Sequence, residues 1–270
     1  MPEPQNFRLR PNHTKDRLRR GETVFGCAVQ YFRSAEAARV FAAAGFDYLF
    51  IDSEHTGFDL ETVADISAGA VTAGITPIVR VGELHYSLVA RALDAGAQGI
   101  IFPRVEDPKA LEQALRWTRF PPQGQRGFGV PSWIVDYQAV SFADIIAHHN
   151  ANTLVVVQLE TRAAVERCDE LLSVGGFEVA MIGPADLSIS LGVPGQFDHP
   201  LFIETAERLI AACRAHSIVP GVQCRSAAQG EWWISKGVQF VGVGTEHILL
   251  LDAARSLAGR LRQAGSQERG

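Results

Sequence analysis

Lysine is nearly missing from this sequence. Only Lys15, Lys109 and Lys236 occur in 270 residues, and none lies in an apolar run of strand character. A Schiff-base enzyme needs a lysine inside its active cavity, so covalent imine chemistry is not expected. Cysteine is also scarce. Cys27, Cys168, Cys213 and Cys224 show no CxxC or zinc-finger spacing, and their apolar neighbours point to buried, reduced thiols in a cytoplasm. No apolar run approaches the length of about 18 residues that a membrane helix requires. The opening stretch, MPEPQNFRLRPNHTKDRLRR, lacks the apolar core of a secretory signal. With a net charge of −5 there is no excess of basic groups to neutralise phosphates, so nucleic acid is not an expected partner.

What is present is a steady alternation. Hydrophobic residues make up 47% and charged residues 20%, as in a globular protein with a substantial core. Short β-rich runs fall at Val24–Val29, Tyr48–Ile51, Thr76–Arg80, Gly99–Phe102, Leu154–Leu159, Val179–Ile182, Val219–Gln223 and Phe240–Val243. Between them lie segments such as AEAARVFAAAG and HYSLVARALDAG, apolar at helical spacing and closed by glycine. Eight such units with no second composition regime predict an α/β fold, a closed (β/α)8 TIM barrel spanning residues 23–261 as one domain. An open doubly wound sheet would show a glycine-rich phosphate fingerprint after its first strand, and FGCAVQYF has none. Residues 1–22 read as a polar N-terminal extension with a helix against the barrel, and residues 262–270 as a frayed tail. Residues 121–150, with Phe128, Trp133 and Tyr137, read as a packed insertion between strands four and five.

Barrel chemistry gathers where the strands end, because the loops there converge on one mouth. Strand two runs into Asp52 and His55, strand three ends in Arg80, and strand four leads to Arg104. Strand five ends with Gln158 and Glu160, strand six leads into GPAD with Asp186, and strand seven ends at Gln223. Each taken singly has an ordinary explanation, such as Asp52 capping the next helix. Gln158 and Glu160 share one face of their strand, which points either into the lumen or away from it. Glu160 and Asp186 are hard oxygen donors on adjacent strands, suited to Mg2+ or Mn2+, which keep waters and accept substrate oxygens. His55 is the candidate base, with Asp52 or Asp94 to orient it, and Arg80 the candidate stabiliser of an oxyanion. VGVGTEH after strand eight offers an acid where phosphate-binding barrels offer a glycine-rich helix start, so a phosphosugar enzyme is disfavoured.

The segments AGFDYLFIDSEH, PIVRV, LDAGAQGIIFPRVE, RGFG, VQLET, IGPADLSISLG and FVGVGTEHILL resemble, in order and spacing, those of the class II metal-dependent 2-oxo-acid aldolases of the HpcH/HpaI group, over residues 20 to 255. The resemblance implies reversible aldol cleavage of 4-hydroxy-2-oxo acids to pyruvate and an aldehyde, a divalent metal (Mg2+, Mn2+ or Co2+), and a homo-hexamer built as a trimer of dimers with exchanged C-terminal helices. It implies His55 as base, Arg80 as transition-state stabiliser, and Asp94 as the residue that raises the basicity of His55. Glu160 and Asp186 would be the metal ligands, and Gln158 and the Ala185 backbone the contacts to the pyruvate unit. Arg126 and Gly127 would form part of a site cover that a neighbouring subunit could lend. Many relatives read GEHAPN where this sequence has SEHTGFD, and carry Trp near Val29; both differences lie where the aldehyde would sit. A citrate-forming or acyl-CoA reaction on the same barrel is the alternative, with Arg104 and Arg126 to meet a second anion. A catalytically silent barrel is the third reading.

Overall fold

The computed structural model describes residues 9–267. Eight parallel strands close into one barrel in chain order. They are β1 (Val24–Val29), β2 (Tyr48–Asp52), β3 (Thr76–Arg80), β4 (Gly99–Phe102), β5 (Leu154–Leu159), β6 (Val179–Ile182), β7 (Val219–Cys224) and β8 (Phe240–Thr245). Helix α1 (His13–Arg19) precedes the barrel, and α2 (Ala35–Ala43), α3 (Leu60–Ala73) and α4 (Tyr86–Asp94) follow the first three strands. After β4 come α5 (Pro108–Arg116) and α6 (Phe142–Asn152), and after β5 come α7 (Arg162–Glu166) and α8 (Cys168–Ser173). The remaining helices are α9 (Pro184–Ser190), α10 (Pro200–Ala215), α11 (Ala227–Ser235) and α12 (Glu246–Gln267). The (β/α)8 expectation is met, with β2, β7 and β8 running slightly further toward the mouth than the apolar runs suggest. Among the described residues no helix is long and apolar enough to cross a membrane.

Two hydrophobic clusters fill the fold. One lies between the strands and the outer helices, and the other, with Ala28, Tyr48, Phe50, Ile78, Ile101, Val156, Met181 and Phe240, lies in the lumen. Alternation along a strand explains the division, and it fixes which residues face the lumen higher up. Tyr48 and Phe50 point inward, and so therefore does Asp52; Ile78 carries Arg80 with it, and Leu154 and Val156 carry Gln158. The lower lumen is plugged by rings: Tyr48 stacks on Phe240 at 4.1 Å and 15°. That stack needs Gly26, because a Cβ there would stand 2.1 Å from the Tyr48 ring.

Below the barrel, α1 seals the N-terminal ends of the strands. Its cap Asn12 is fully buried, accepts from the Lys15 N–H, and donates to the carbonyls of Gln98 and Asn152. Thr14 bonds the Asp47 carbonyl and Thr76. Lys15 is buried, with Nζ 2.7 Å from both the Thr153 carbonyl and a Glu178 oxygen. The one lysine inside the fold thus stands at the opposite end from the strand tips, tied to a structural partner.

Two details differ from the sequence expectations. Helix α12 continues through Gln267, so residues 262–267 are helical where a frayed tail was expected; residues 268–270 and 1–8 lie outside the described residues. In the insertion, Trp133 packs against Gly96, where a Cβ would meet the indole at 2.5 Å, whereas Tyr137 stands 80% exposed. Packing there is carried by Arg126, Phe120 and α6 rather than by all three aromatic residues.

Truncating Lys15 leaves the Glu178 carboxylate short of its nearest cation, so Lys15→Ala should lower stability by about 3 kcal/mol, read as a shift in urea midpoint; a change within error would contradict the floor assignment. In α6, burial against Phe120 pushes the His149 imidazole down to about 3, with Arg126 adding to the effect, and burial also lowers His148. Below the unfolded histidine value near 6.5, the unfolded chain takes up protons that the folded chain refuses. Stability should therefore fall with pH from about 6.5 toward 3, by up to about 1.4 kcal/mol per unit for His149. Replacing it, as in His149→Phe, should flatten the slope measured between pH 7 and 5.

Candidate active site

Strand register builds the upper lumen. Asp52 and Arg80 are direct partners across β2 and β3, and both face inward. Arg80 donates in a fork to Asp52, Nε to Oδ1 at 3.0 Å and Nη2 to Oδ2 at 2.7 Å. Asp52 is fully buried and accepts three further bonds: from the Gln30 amide at 3.0 Å and from the N–H groups of Glu54 and His55. Burial alone would raise its carboxyl; Arg80 and Gln30 together hold it below the usual carboxylate range. Arg80 reaches Glu54 with its remaining nitrogen, Nη1 to Oε2 at 3.1 Å. Burial pushes the Glu54 carboxyl up, opposed by Arg80.

Across the mouth, β5 delivers Gln158 and Glu160. Glu160 is 1% exposed. Its Oε1 accepts the Arg104 N–H at 2.9 Å, and its Oε2 the Gln158 amide at 3.1 Å. Arg104 adopts a left-handed backbone, φ 51°, the kind of local strain that gathers at functional sites. Burial is the main cause that pushes the Glu160 carboxyl up to about 7; the Arg104 N–H opposes it, and the Asp186 charge adds to it. Asp186, in the first turn of α9, is half-buried with Arg104 at 3.8 Å. Gly183 leaves the carboxylate its space, because a Cβ there would stand 2.1 Å from Glu160 Oε2. Gln30, Arg80, Gln158, Glu160, Ala185 and Asp186 line one cavity of about 970 Å³.

Among the described residues no group of three or more His, Cys, Asp or Glu gathers to form a self-sufficient metal centre. Two carboxylates beside a cavity suit a different case: a hard divalent ion that retains waters and takes substrate oxygens. The donor set fits that ion. Burial raises the Glu160 carboxyl and the nearby Asp186 charge adds to it, and a cation held beside them would offset this. Gln158 Oε1 is buried without a partner, an acceptor left over for whatever enters.

Several expected pairings are not made within the chain. Asp52 does not polarise His55, because both its oxygens serve Arg80 and the turn. His55 is 60% exposed at the rim and is not among the residues lining the cavity; its nearest carboxylate is Glu54, Nε2 to Oε2 at 3.7 Å. Asp94 makes no ion pair or hydrogen bond with His55. It ends α4, which runs antiparallel to the strands and so finishes on the floor side, where it accepts from Arg126 Nη2 at 2.7 Å. Arg126 is 2% exposed, lies over the Phe120 ring at 4.5 Å, and does not reach the cavity. Two further residues at the mouth have no role assigned from the sequence. Glu54 sits inside the DSEH tip and carried its own signal; Gln30, a lone amide after β1, carried none.

Displacing the Glu160 carboxylate should weaken the cation site. Gly183→Ala is expected to reduce Mn2+ affinity by about 10- to 100-fold in calorimetry, and unchanged affinity would count against this pair of ligands.

Comparison with known proteins agrees with this architecture. Residues 31–253 match the family model HpcH/HpaI aldolase/citrate lyase. A hydroxypyruvate/pyruvate aldolase from Roseobacter denitrificans is 32% identical over 255 residues, 93% of this chain and 98% of that protein. A 2-keto-3-deoxy-L-rhamnonate aldolase from Escherichia coli is 31% identical over 245 residues, 91% of each. The crystal structure of an HpcH/HpaI aldolase from Desulfitobacterium hafniense superposes with a TM-score of 0.86 at 28% identity, covering 92% of this chain and 96% of that one. The chain belongs to the HpcH/HpaI aldolase/citrate lyase family.

Proposed function

We propose that the chain is a divalent-metal-dependent carbon–carbon lyase that reversibly cleaves 4-hydroxy-2-oxo acids to pyruvate, or a close 2-oxo acid, and an aldehyde. The observation that carries this reading is that Glu160, Asp186, Arg80 and Gln158 together line one cavity that no lysine lines. A divalent cation held by Glu160 and Asp186 would supply Lewis-acid charge to the carboxylate and keto oxygens of the acid. Arg80, fixed by Asp52 and Glu54, meets the negative charge that develops on the keto oxygen. Gln158 orients the acid from the same strand. His55 takes the proton of the C4 hydroxyl through water, and Glu54 beside it steadies the resulting imidazolium. As the C3–C4 bond breaks, its electron pair moves into C2–C3 and the aldehyde leaves. A proton then returns to C3 to give the methyl of pyruvate.

Assembly enters the same reading. Leu249, Leu250, Leu251, Leu257 and Leu261 of α12 are all exposed, with Leu250, Leu257 and Leu261 on one side of the helix, apolar surface that a second copy would cover, in keeping with a hexamer of exchanged C-terminal helices. Asp94 could act on His55 only across such subunits. Four free, buried cysteines support a cytoplasmic location. For the alternative reaction, Arg126 is no support, since it is committed to Asp94; that leaves Arg104 alone to meet a second anion.

Incubation with pyruvate, Mn2+ and an aldehyde should give a 4-hydroxy-2-oxo acid, and EDTA should abolish it. His55→Ala should lower turnover by roughly 10²- to 10⁴-fold. Activity that survives exhaustive chelation, or trapping of protein-bound pyruvate by borohydride, would overturn the reading; faster turnover of oxaloacetate or an acyl-CoA thioester than of any aldehyde would favour the alternative.

A further inference from the structure

The cavity is larger than the reaction centre requires. Its acid end is formed by Arg80, Gln158, Glu160 and Asp186, but its volume of about 970 Å³ matches pockets that enclose drug-sized ligands. The surplus space runs outward past Pro184 and Cys224 to a wall built from four other elements: the turn before α10, α10 itself, α11, and the start of α12. Phe197, Phe202, Ile203, Trp232 and Ile248 form this wall.

The wall is rigid. Phe197 meets Phe202 edge-on at 5.7 Å, Phe202 meets Trp233 at 6.4 Å, and Trp233 meets Trp232 at 4.6 Å. Cations cover two of these rings: the Arg225 guanidinium lies 5.2 Å over Phe197 and Lys236 Nζ 5.2 Å over Trp232. Phe202 at the centre is fully buried. Asp198, Arg225 and Gln229 are the polar groups on this side; Asp198 and Arg225 are exposed to solvent, and Gln229 spends its Oε1 on the Arg225 N–H at 2.9 Å. A hydroxylated chain laid against the rings would lose water to apolar surface, whereas an alkyl or aryl chain would lose only unfavourable hydration.

We infer that the aldehyde partner carries an apolar body, a linear or aromatic chain of roughly four to seven carbons, seated between Trp232, Phe197 and Ile248 while its carbonyl faces the acid end. This rests on the lyase reading above and names the electrophile class that reading leaves open. The compartment is continuous with the acid end, so a single 4-hydroxy-2-oxo acid can span both, its first three carbons at Glu160 and Asp186 and its tail on the rings. Selectivity then comes from the tail, with each buried methylene contributing about fourfold in kcat/KM.

The test has two separable arms on the full chain loaded with Mn2+. Exchange of the pyruvate methyl protons into D2O, followed by NMR without any aldehyde, reads the acid end alone. Condensation of pyruvate with glycolaldehyde, glyceraldehyde, butanal, hexanal and benzaldehyde then reads the wall. The expected result is exchange, together with kcat/KM rising from butanal to hexanal and lying at least about tenfold above glycolaldehyde. In Trp232→Ala the hexanal-to-glycolaldehyde ratio should collapse about tenfold, and in Ile248→Asn, on the exposed start of α12, by a smaller factor in the same direction. Exchange with no chain-length dependence, or with preference for the hydroxylated aldehydes, would overturn the inference and leave the lyase reading standing. Absence of exchange would remove the lyase reading itself and this inference with it. If Trp232→Ala and Ile248→Asn alter the molecular mass in light scattering but not the ratio, the wall is an interface between copies, and the inference is wrong.

Discussion

A buried guanidinium–carboxylate fork at the top of the lumen organises everything around it. Arg80 and Asp52 are brought side by side by parallel register, and each would be costly in that position alone. Lysine could not replace the arginine, since only a planar fork gives two parallel bonds to one carboxylate and still has a nitrogen free for Glu54. The fork also anchors its surroundings. Asp52 holds the N–H groups of Glu54 and His55, so the same carboxylate that fixes the arginine shapes the turn presenting the histidine. Gln30 completes the Asp52 shell, and its position is set from the far side of the barrel seam. Buried Glu246, the first residue of α12, accepts the N–H groups of Gln30, Tyr31 and Phe32 with a single oxygen. The start of α12 thus reaches the arginine of the third strand through two carboxylates and Gln30.

The lower lumen makes that arrangement possible. Tyr48 and Phe240, accommodated by Gly26 and Gly221, fill the barrel below the polar layer, and α1 closes the floor. In the polar layer above, Asp52 and Glu160 are both buried. Burial pushes both carboxyls up; it prevails at Glu160, whereas Arg80 and Gln30 override it at Asp52. The two carboxylates are of similar chemistry and differ in their neighbours: one has a guanidinium, and the other faces a second carboxylate across an open cavity.

Much of this was legible in the sequence, and the reason is parity. A core strand alternates inward and outward, so eight apolar runs fix eight strands, and a polar residue at a strand end must stand at the mouth. Parity alone does not say which side is the lumen, and so Gln158 and Glu160 remained ambiguous until Leu154 and Val156 were seen inside. Helical residues carry less information. Asp94 follows an ordinary amphipathic segment, and nothing in that pattern tells a carboxylate at the foot of a helix from one at the top; counting which way α4 must run would have placed it on the floor. Arg126 belongs to an insertion without periodicity, and its burial against Phe120 and Asp94 depends on tertiary contacts alone. Gln30 stands in no motif because its role is to bond a side chain 22 residues away in sequence.

The same contrast separates the reaction from its selectivity. Chemistry at the acid end depends on a few charged groups whose positions are tied to strand tips, and substitution of any one leaves another buried charge without its partner. The apolar wall has no such coupling. Phe197, Trp232 and Ile248 come from a turn and two helices, touch neither Arg80 nor Glu160, and can change size without unpairing a charge. Residues of that kind can diverge freely while the strand-tip motifs stay in place. Seven segments can therefore identify a family, and with it a class of bond cleavage, while the tail of the substrate must be read from the shape and polarity of space that no motif describes.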